Sequence, residues 1–218
     1  MYVVVGVTGS SGLVLALRLT EVLNSMNCRV DVVLSKASAR VAEGECVSPE
    51  FFVSKIRELG AREVYWEDDL SAPLSSSSYF VYVDWVAVIP ATIKTVSSIA
   101  HGLADNLIVR AATNALRLGK KVIAVIRESP LGYVELRSLY MAAKAGVTVV
   151  PAVVGFYAKP TTLRDVVDFI VGKVLDVAGI TTHSLYTRWP QSSSIGGDLC
   201  SALYGEGGGA PGRASQHS

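Results

Sequence analysis

Apolar residues along this chain fall into two kinds of pattern. Blocks dense in Val, Ile and Leu recur at residues 2–7, 29–34, 80–89, 121–126 and 147–153. Most run continuously instead of alternating with polar residues, as parallel strands covered on both faces do. Between them lie stretches with apolar positions three and four apart: Leu15, Leu19, Val22 and Met26, then Phe51, Ile56 and Leu59, then a long one from about Thr92 to Leu118. A last helix is predicted to start at Pro160 and Thr161, with Leu163, Val166, Val167, Ile170, Val174 and Leu175 at inward spacing. Strand and helix alternate, so the pattern predicts an α/β fold: a doubly wound parallel sheet, Rossmann-type, in three α/β/α layers.

Length narrows this to one domain. The chain has 218 residues, 50% of them apolar, enough for a single well-buried core. Residues 1–180 are expected to form it, 181–190 a C-terminal extension, and the Gly- and Ser-rich stretch 191–218 a disordered tail. The run "SAPLSSSS", residues 71–78, is a second flexible candidate, lying where an active-site loop belongs. No internal repeat is found.

Charge and cysteine usage exclude several classes of partner. The formal net charge is +1, so no global field steers the protein to nucleic acid or an anionic membrane, and any anion must be bound by local geometry. Cys28, Cys46 and Cys200 lie far apart with no CxxC pair, which favours neither a disulfide framework nor a thiolate metal site. Asp84, Pro90, Pro151 and Lys159 interrupt the best apolar stretches before they reach the roughly 18 residues of a membrane span. The apolar N-terminus has no basic region of the signal-peptide kind. A soluble, cytoplasmic protein is expected.

The first candidate site is the turn in "VVVGVTGSSGLVLALRL", residues 3–19, with glycines at 6, 9 and 12. A dinucleotide fingerprint asks for an acid at the tip of the second strand to hold a ribose hydroxyl, but "RVDVVL" ends in Ser35 and Lys36. What remains is a turn whose Gly9 and Gly12 let backbone approach an anion, beside the hydroxyls of Thr8, Ser10 and Ser11. Such a turn suits one phosphate at a helix N-terminus, and the same turn also occurs where it only packs helix on strand. Two further strand ends bring chemistry to the same rim: "AVIPATIKT", turning through Thr92, Ile93, Lys94 and Thr95, and "VIAVIRESP", ending in Arg127 and Glu128. By themselves these motifs define an anion-binding, nucleotide-type α/β domain.

Taken together, "VTGSSG", "SKAS", "PATIKTVSSIAHGLADNLIVRAA", "VIRESP" and "PAVVGFYAKPTTLRDVVDFIVGKVLDVAGI" resemble the flavin prenyltransferase family, the UbiX-like proteins, in order and with similar spacing from about residue 3 to Trp189. The resemblance implies a flavodoxin-like fold that binds reduced FMN and joins it to the dimethylallyl group of dimethylallyl monophosphate. The new ring closes between flavin N5 and C6, and inorganic phosphate is released. It further implies a product used by UbiD-type decarboxylases, a homododecamer with active sites at subunit interfaces, and no metal.

The same resemblance supplies roles by position. Gly9, Ser10 and Ser11 match the first FMN-binding turn, Ser35 the serine after the second strand, Thr92, Ile93, Lys94 and Thr95 the turn around the flavin, and Arg127 the arginine beside it. For Ser35 and Thr95 a plain helix cap is the alternative. Tyr157 and Lys173 match the positions that bind the allylic phosphate, and Arg117 a further cation there. The two basic residues are exchanged relative to the bacterial pattern of lysine early and arginine late, which changes the donor geometry. Glu128 matches the acid that protonates departing phosphate, with a surface Arg127–Glu128 pair as the alternative. Glu45 matches a second acid, which needs a raised pKa to carry a proton, or is a solvated helix residue beside Glu43. Arg110 matches an active-site arginine near the flavin, or makes a helix salt bridge. Trp189 matches an aromatic residue near the prenyl group, where a π face is worth about 1 to 2 kcal/mol to a developing cation, or is a packing anchor. Leu70 stands where bacterial relatives tend to carry tryptophan, so Trp66 or Trp85 becomes a candidate lining residue.

Other readings of the same residues are an FMN-dependent cysteine-decarboxylase-like flavoprotein, an NADP-dependent reductase using Tyr140 and Lys144, and a flavin-binding protein without catalysis. The first lacks its histidine and PxMNxxMW-like segment here.

Overall fold

The computed structural model describes residues 1–46, 48–189 and 199–205. Its centre is one six-stranded sheet: β1 (Tyr2–Val7), β2 (Arg29–Leu34), β3 (Ala61–Trp66), β4 (Trp85–Ala91), β5 (Lys121–Ile126) and β6 (Val147–Pro151). Every recorded pairing is parallel, and the order is β3-β2-β1-β4-β5-β6. Chain direction across the sheet reverses between β1 and β4, which makes the carboxyl ends of those strands the crevice where such sheets bind ligands.

Two helical layers cover the sheet. Val3, Val5 and Val7 point to a core shared with α1 (Leu13–Ser25), α2 (Lys36–Glu45), α3 (Pro49–Glu58) and α7 (Leu163–Ala178). Tyr2 and Val4 point the other way, to a core built with α4 (Ile93–His101), α5 (Leu107–Arg117) and α6 (Tyr133–Lys144). The period-2 switch along β1 thus feeds both faces, which is why its run is continuously apolar. At Gly6 the close approach of α5 leaves no room for a side chain, since a Cβ there would sit 2.8 Å from Ile108 Cγ2.

Several elements depart from the sequence expectation. β3 went unpredicted because it is an edge strand with exposed Arg62 and Glu63, so only one end of it is buried. The strand expected at 80–89 begins only at Trp85, residues 79–82 forming a 3₁₀ turn. The long helix from Thr92 to Leu118 is two helices: Gly102, at φ 69°, ends α4 and the Asn106 side chain caps α5 by accepting the Val109 amide at 3.0 Å. The run 71–78 is packed crossover and not a flexible loop, with Ala72 and Leu74 buried in the second core. Of the predicted tail, Leu199–Tyr204 form a short helix, α8, while residues 190–198 and 206–218 lie outside the described residues.

Candidate functional site

Thr8, directly after β1, joins the two strands at the switch point. Its hydroxyl donates to the Pro90 carbonyl at 2.8 Å and accepts the Thr92 amide at 2.8 Å. Ser10 extends the stitching to β5, donating to the Arg127 carbonyl at 3.4 Å. Gly9 lies against α2: a Cβ there would come within 2.4 Å of Ala37 Cβ. The loops after β1, β2, β4 and β5 are therefore held together by hydroxyl bonds and one close approach, and the N-termini of α1, α2 and α4 open on the same rim.

Those termini are capped differently. The Ser35 side chain caps α2, accepting the Ser38 amide at 3.0 Å, while Glu67 accepts the Lys36 amide at 2.7 Å. At α4 the cap is Thr92, whose hydroxyl lies 2.9 Å from that of Thr95 and accepts the Thr95 amide at 3.3 Å. Ile93 is half-buried and Lys94 exposed on the first turn. At α1 the cap is Glu45: its carboxylate accepts the Gly12 amide at 2.8 and 2.9 Å and the Leu13 amide at 2.9 Å. Burial opposes its charge, but the Ser11 hydroxyl, those amides and the Arg127 guanidinium outweigh it and hold the carboxyl below the ordinary range. That direction is opposite to the one a proton carrier needs.

Arg127 and Glu128 both stand exposed at the end of β5. Arg110 sits in the first turn of α5, with its Nη2 3.5 Å from the Ala104 carbonyl and its Nε buried without a hydrogen-bond partner among the described residues. An orphaned guanidinium nitrogen next to a nucleotide crevice fits an acceptor brought by a ligand. Arg117 is not brought to this rim. As the last residue of α5 it lies about 10 Å further along the helix than Arg110, toward the amino ends of the strands, where its Nη2 donates to Asn114 Oδ1 at 2.6 Å.

Tyr157, Lys173 and Trp189 form a second group, beside edge strand β6. The Tyr157 ring meets Phe169 at 5.9 Å and Trp189 at 6.1 Å, both edge-on. Lys173 Nζ lies 5.5 Å from the Phe169 ring and 4.8 Å from the Tyr186 ring. Its ammonium is held above the usual lysine value, first by the Tyr186 hydroxyl, against the effect of burial. This group borders a groove of about 590 Å³ between β6 and α7 that includes Val150, Pro151, Phe169 and Lys173. Since α7 runs back down from the rim, Lys173 lies about 15 Å along the helix from Leu163. The predicted residues are thus divided into a rim group and an edge group.

A third constellation escaped sequence reasoning. Asp176, on α7, receives Arg188 Nη2 at 2.6 Å and Nη1 at 3.1 Å, the Tyr186 hydroxyl, and His183 Nε2 at 3.0 Å. Burial raises its pKa, but Arg188, Tyr186 and His183 overcome that and hold it at about 2. Gly172 makes room, because a Cβ there would sit 2.6 Å from Tyr186 and 3.0 Å from His183. Asp176 carries no distinctive signal in the sequence, being one of several charged residues on α7, three positions after Lys173. Among the described residues, no group of three or more His, Cys, Asp or Glu side chains is placed to hold a metal ion, and no helix is long and apolar enough to cross a membrane.

The hydroxyl-lined rim lies at the switch point of a Rossmann-type sheet, and residues 1–175 match the family model named Flavoprotein. Among curated proteins, the flavin prenyltransferase UbiX of Saccharolobus solfataricus is 35% identical over 189 residues, covering 86% of this chain and 91% of that one. That of Thermoplasma acidophilum is 37% identical over 189 residues, covering 87% and 100%. The chain belongs to the UbiX flavin prenyltransferase family. Two solved structures agree. AnUbiX (PadA1), in complex with FMN and dimethylallyl pyrophosphate, superposes with a TM-score of 0.79 at 32% identity, covering 86% of this chain and 96% of that one. The dodecameric FMN-dependent UbiX-like decarboxylase of Escherichia coli O157:H7 gives 0.79 at 34%, covering 87% and 99%. By contrast the cysteine decarboxylase TvaF, at 17% identity and a TM-score of 0.59, shares the fold alone. The reductase reading also loses its pair, because Tyr140 is 61% exposed and stacked under Lys144, about 10 Å along α6 from its start.

Proposed function

We propose that this protein transfers the dimethylallyl group of dimethylallyl monophosphate to N5 and C6 of reduced FMN, releasing phosphate and giving a prenylated flavin for a UbiD-type decarboxylase in the cytoplasm. The observation that carries the reading is the coexistence of a hydroxyl-lined nucleotide rim, with the orphaned Arg110 Nε beside it, and a separate cup of one cation and four aromatic rings at Tyr157, Phe169, Lys173, Tyr186 and Trp189.

At the rim, Gly9, Ser10, Ser11 and Ser35 line one side of the FMN site and Thr92 to Thr95 the other, with Arg127 at its mouth. The α1 and α2 termini already carry the carboxylates of Glu45 and Glu67. The flavin phosphate therefore meets the least repulsion at the N-terminus of α4. Arg110 Nε takes a flavin acceptor as its missing partner. When bound, reduced FMN would supply N5 as the nucleophile, giving up its proton as the allylic C–O bond breaks and phosphate leaves, and C6 as the second attachment point, where loss of the C6 proton balances the proton taken up by the donor's double bond.

The cup acts on the prenyl donor. Tyr157 and Lys173 bind its phosphate, supplying fixed positive charge and a hydroxyl where charge grows on the leaving group. Glu128 delivers the proton that phosphate takes away. Trp189 offers its π face to the allylic carbons as they gain positive charge. Rim and cup meet between copies of the chain, and Arg117 serves the site of a neighbour. The apolar face of α6, with Tyr133, Val134, Leu136 and Tyr140 all more than half exposed, supports a dodecamer like that of the Escherichia coli relative.

The reaction is tested anaerobically with protein, reduced FMN and dimethylallyl monophosphate by following inorganic phosphate. Phosphate released in step with FMN consumption supports the reading, and release that is independent of FMN opposes it.

A further inference from the structure

Residues 181–189 form a strap without regular secondary structure that returns along α7 after Gly179. Three of its side chains, His183, Tyr186 and Arg188, converge on one carboxylate of that helix, Asp176. The residue after Arg188 is Trp189, whose ring meets Tyr157. Lys173 stands one helical turn before Asp176, its Nζ 4.8 Å from the centre of the Tyr186 ring. Two members of the prenyl-donor cup therefore depend on the same anchor.

We propose that Asp176 is a positioning residue for the prenyl donor, fixing Trp189 through the strap and Lys173 through Tyr186. Hydrogen-bond direction carries the argument. The Tyr186 hydroxyl has one proton and gives it to Asp176, which holds the ring in place as the π face beside the Lys173 ammonium. His183 is fixed in the same way. Its Nδ1 accepts the Leu185 amide at 3.3 Å, which leaves Nε2 to carry the proton toward Asp176. Arg188 closes the arrangement with two nearly parallel N–H bonds to the carboxylate and a third, at 3.3 Å, to the Thr181 carbonyl. One carboxylate thus sets the orientation of a tyrosine, an imidazole and a guanidinium. Gly172 beneath the rings keeps them against the helix. None of these bonds involves the FMN rim, so the effect of Asp176 falls on the donor alone.

This inference rests on the prenyl-transfer reading, and its test separates the two. In the full-length Asp176→Asn variant the KM for dimethylallyl monophosphate rises about tenfold, the loss of one hydrogen bond to a charged group, while the Kd for FMN stays within about twofold. Acrylamide quenching of Trp189, isolated by subtracting the Trp189→Phe spectrum that reports Trp66 and Trp85, increases in the same variant without substrate present. Asp176→Glu, which keeps the charge, recovers part of both changes. If Asp176→Asn does not fold, Tyr186→Phe decides, because it keeps the ring beside Lys173 but removes the hydroxyl that ties that ring to Asp176, and should raise KM alone. Unchanged KM and unchanged quenching overturn the proposal, as does an equal loss of FMN affinity. A wild-type protein that transfers no prenyl group overturns the functional reading and this inference with it.

Discussion

Glu45 and Gly12 are joined across 33 residues: both oxygens of the carboxylate accept the Gly12 amide, at 2.8 and 2.9 Å. The last residue of α2 thereby caps the first turn of α1. The Glu45 pKa is depressed on folding, so the stabilisation is present above the ordinary carboxylate value and is lost as pH falls through the folded-state value. Glu45→Gln should cost about 0.5 to 1 kcal/mol at neutral pH, seen in urea unfolding, and the deficit should vanish in acid. A deficit that persists in acid would remove charge from the explanation.

Gly9 is required by packing against α2, not by its backbone angle. Gly9→Ala brings a methyl group within 2.4 Å of Ala37 Cβ and should destabilise the fold by about 1 to 3 kcal/mol while weakening FMN. Unfolding curves and flavin titration read the two effects. Wild-type values in both would mean that the loop after β1 moves freely from α2.

The buried Nε of Arg110 has no hydrogen-bond partner among the described residues. Arg110→Met should therefore leave the flavin-free protein as stable or more stable, because an unsatisfied buried donor is removed, yet weaken FMN at least tenfold. Thermal melts with and without FMN report both. An equal loss of stability in the two states would identify Arg110 as a structural residue.

Glu128 is exposed and makes no contact that the fold depends on among the described residues. Glu128→Gln should bind FMN normally and slow phosphate release by about a hundredfold, within the usual range for a lost general acid. Stopped-flow phosphate detection measures it, and unaltered turnover would strip Glu128 of that role.

Strap docking should hardly change with pH in the neutral range. Asp176 titrates at about 2 in the folded chain against 3.8 ordinarily, so its contribution is complete above about 4 and fades toward 2. Trp189 fluorescence should stay constant from pH 8 to about 5 and shift only in strong acid. A transition in the neutral range would show that Asp176 is not the group that holds the strap.

What could be read from sequence followed burial. Strands β1, β2 and β5 are enclosed on both faces, so their apolar runs had nearly the right bounds. Edge strand β3 carries Arg62 and Glu63 in solvent, and no periodic signal survives there. The Gly102 and Asn106 that divide α4 from α5 were visible as residue types but were overridden by the apolar spacing around them. At the site, the Ser35 cap was legible because helix caps use few residue types, whereas the cap considered at Thr95 falls three residues earlier, at Thr92. The Glu45 cap was not, since its partners lie 32 and 33 residues away. Asp176 was hidden for the same reason: its meaning lies in three side chains that meet it only after the chain has turned back.

Mass spectrometry of the flavin extracted after anaerobic incubation with reduced FMN and dimethylallyl monophosphate tests the central claim most directly. The account predicts a flavin heavier by one five-carbon unit, formed by the wild-type protein and formed about a hundredfold more slowly by Glu128→Gln. Recovery of unchanged FMN from active, flavin-bound protein would contradict it.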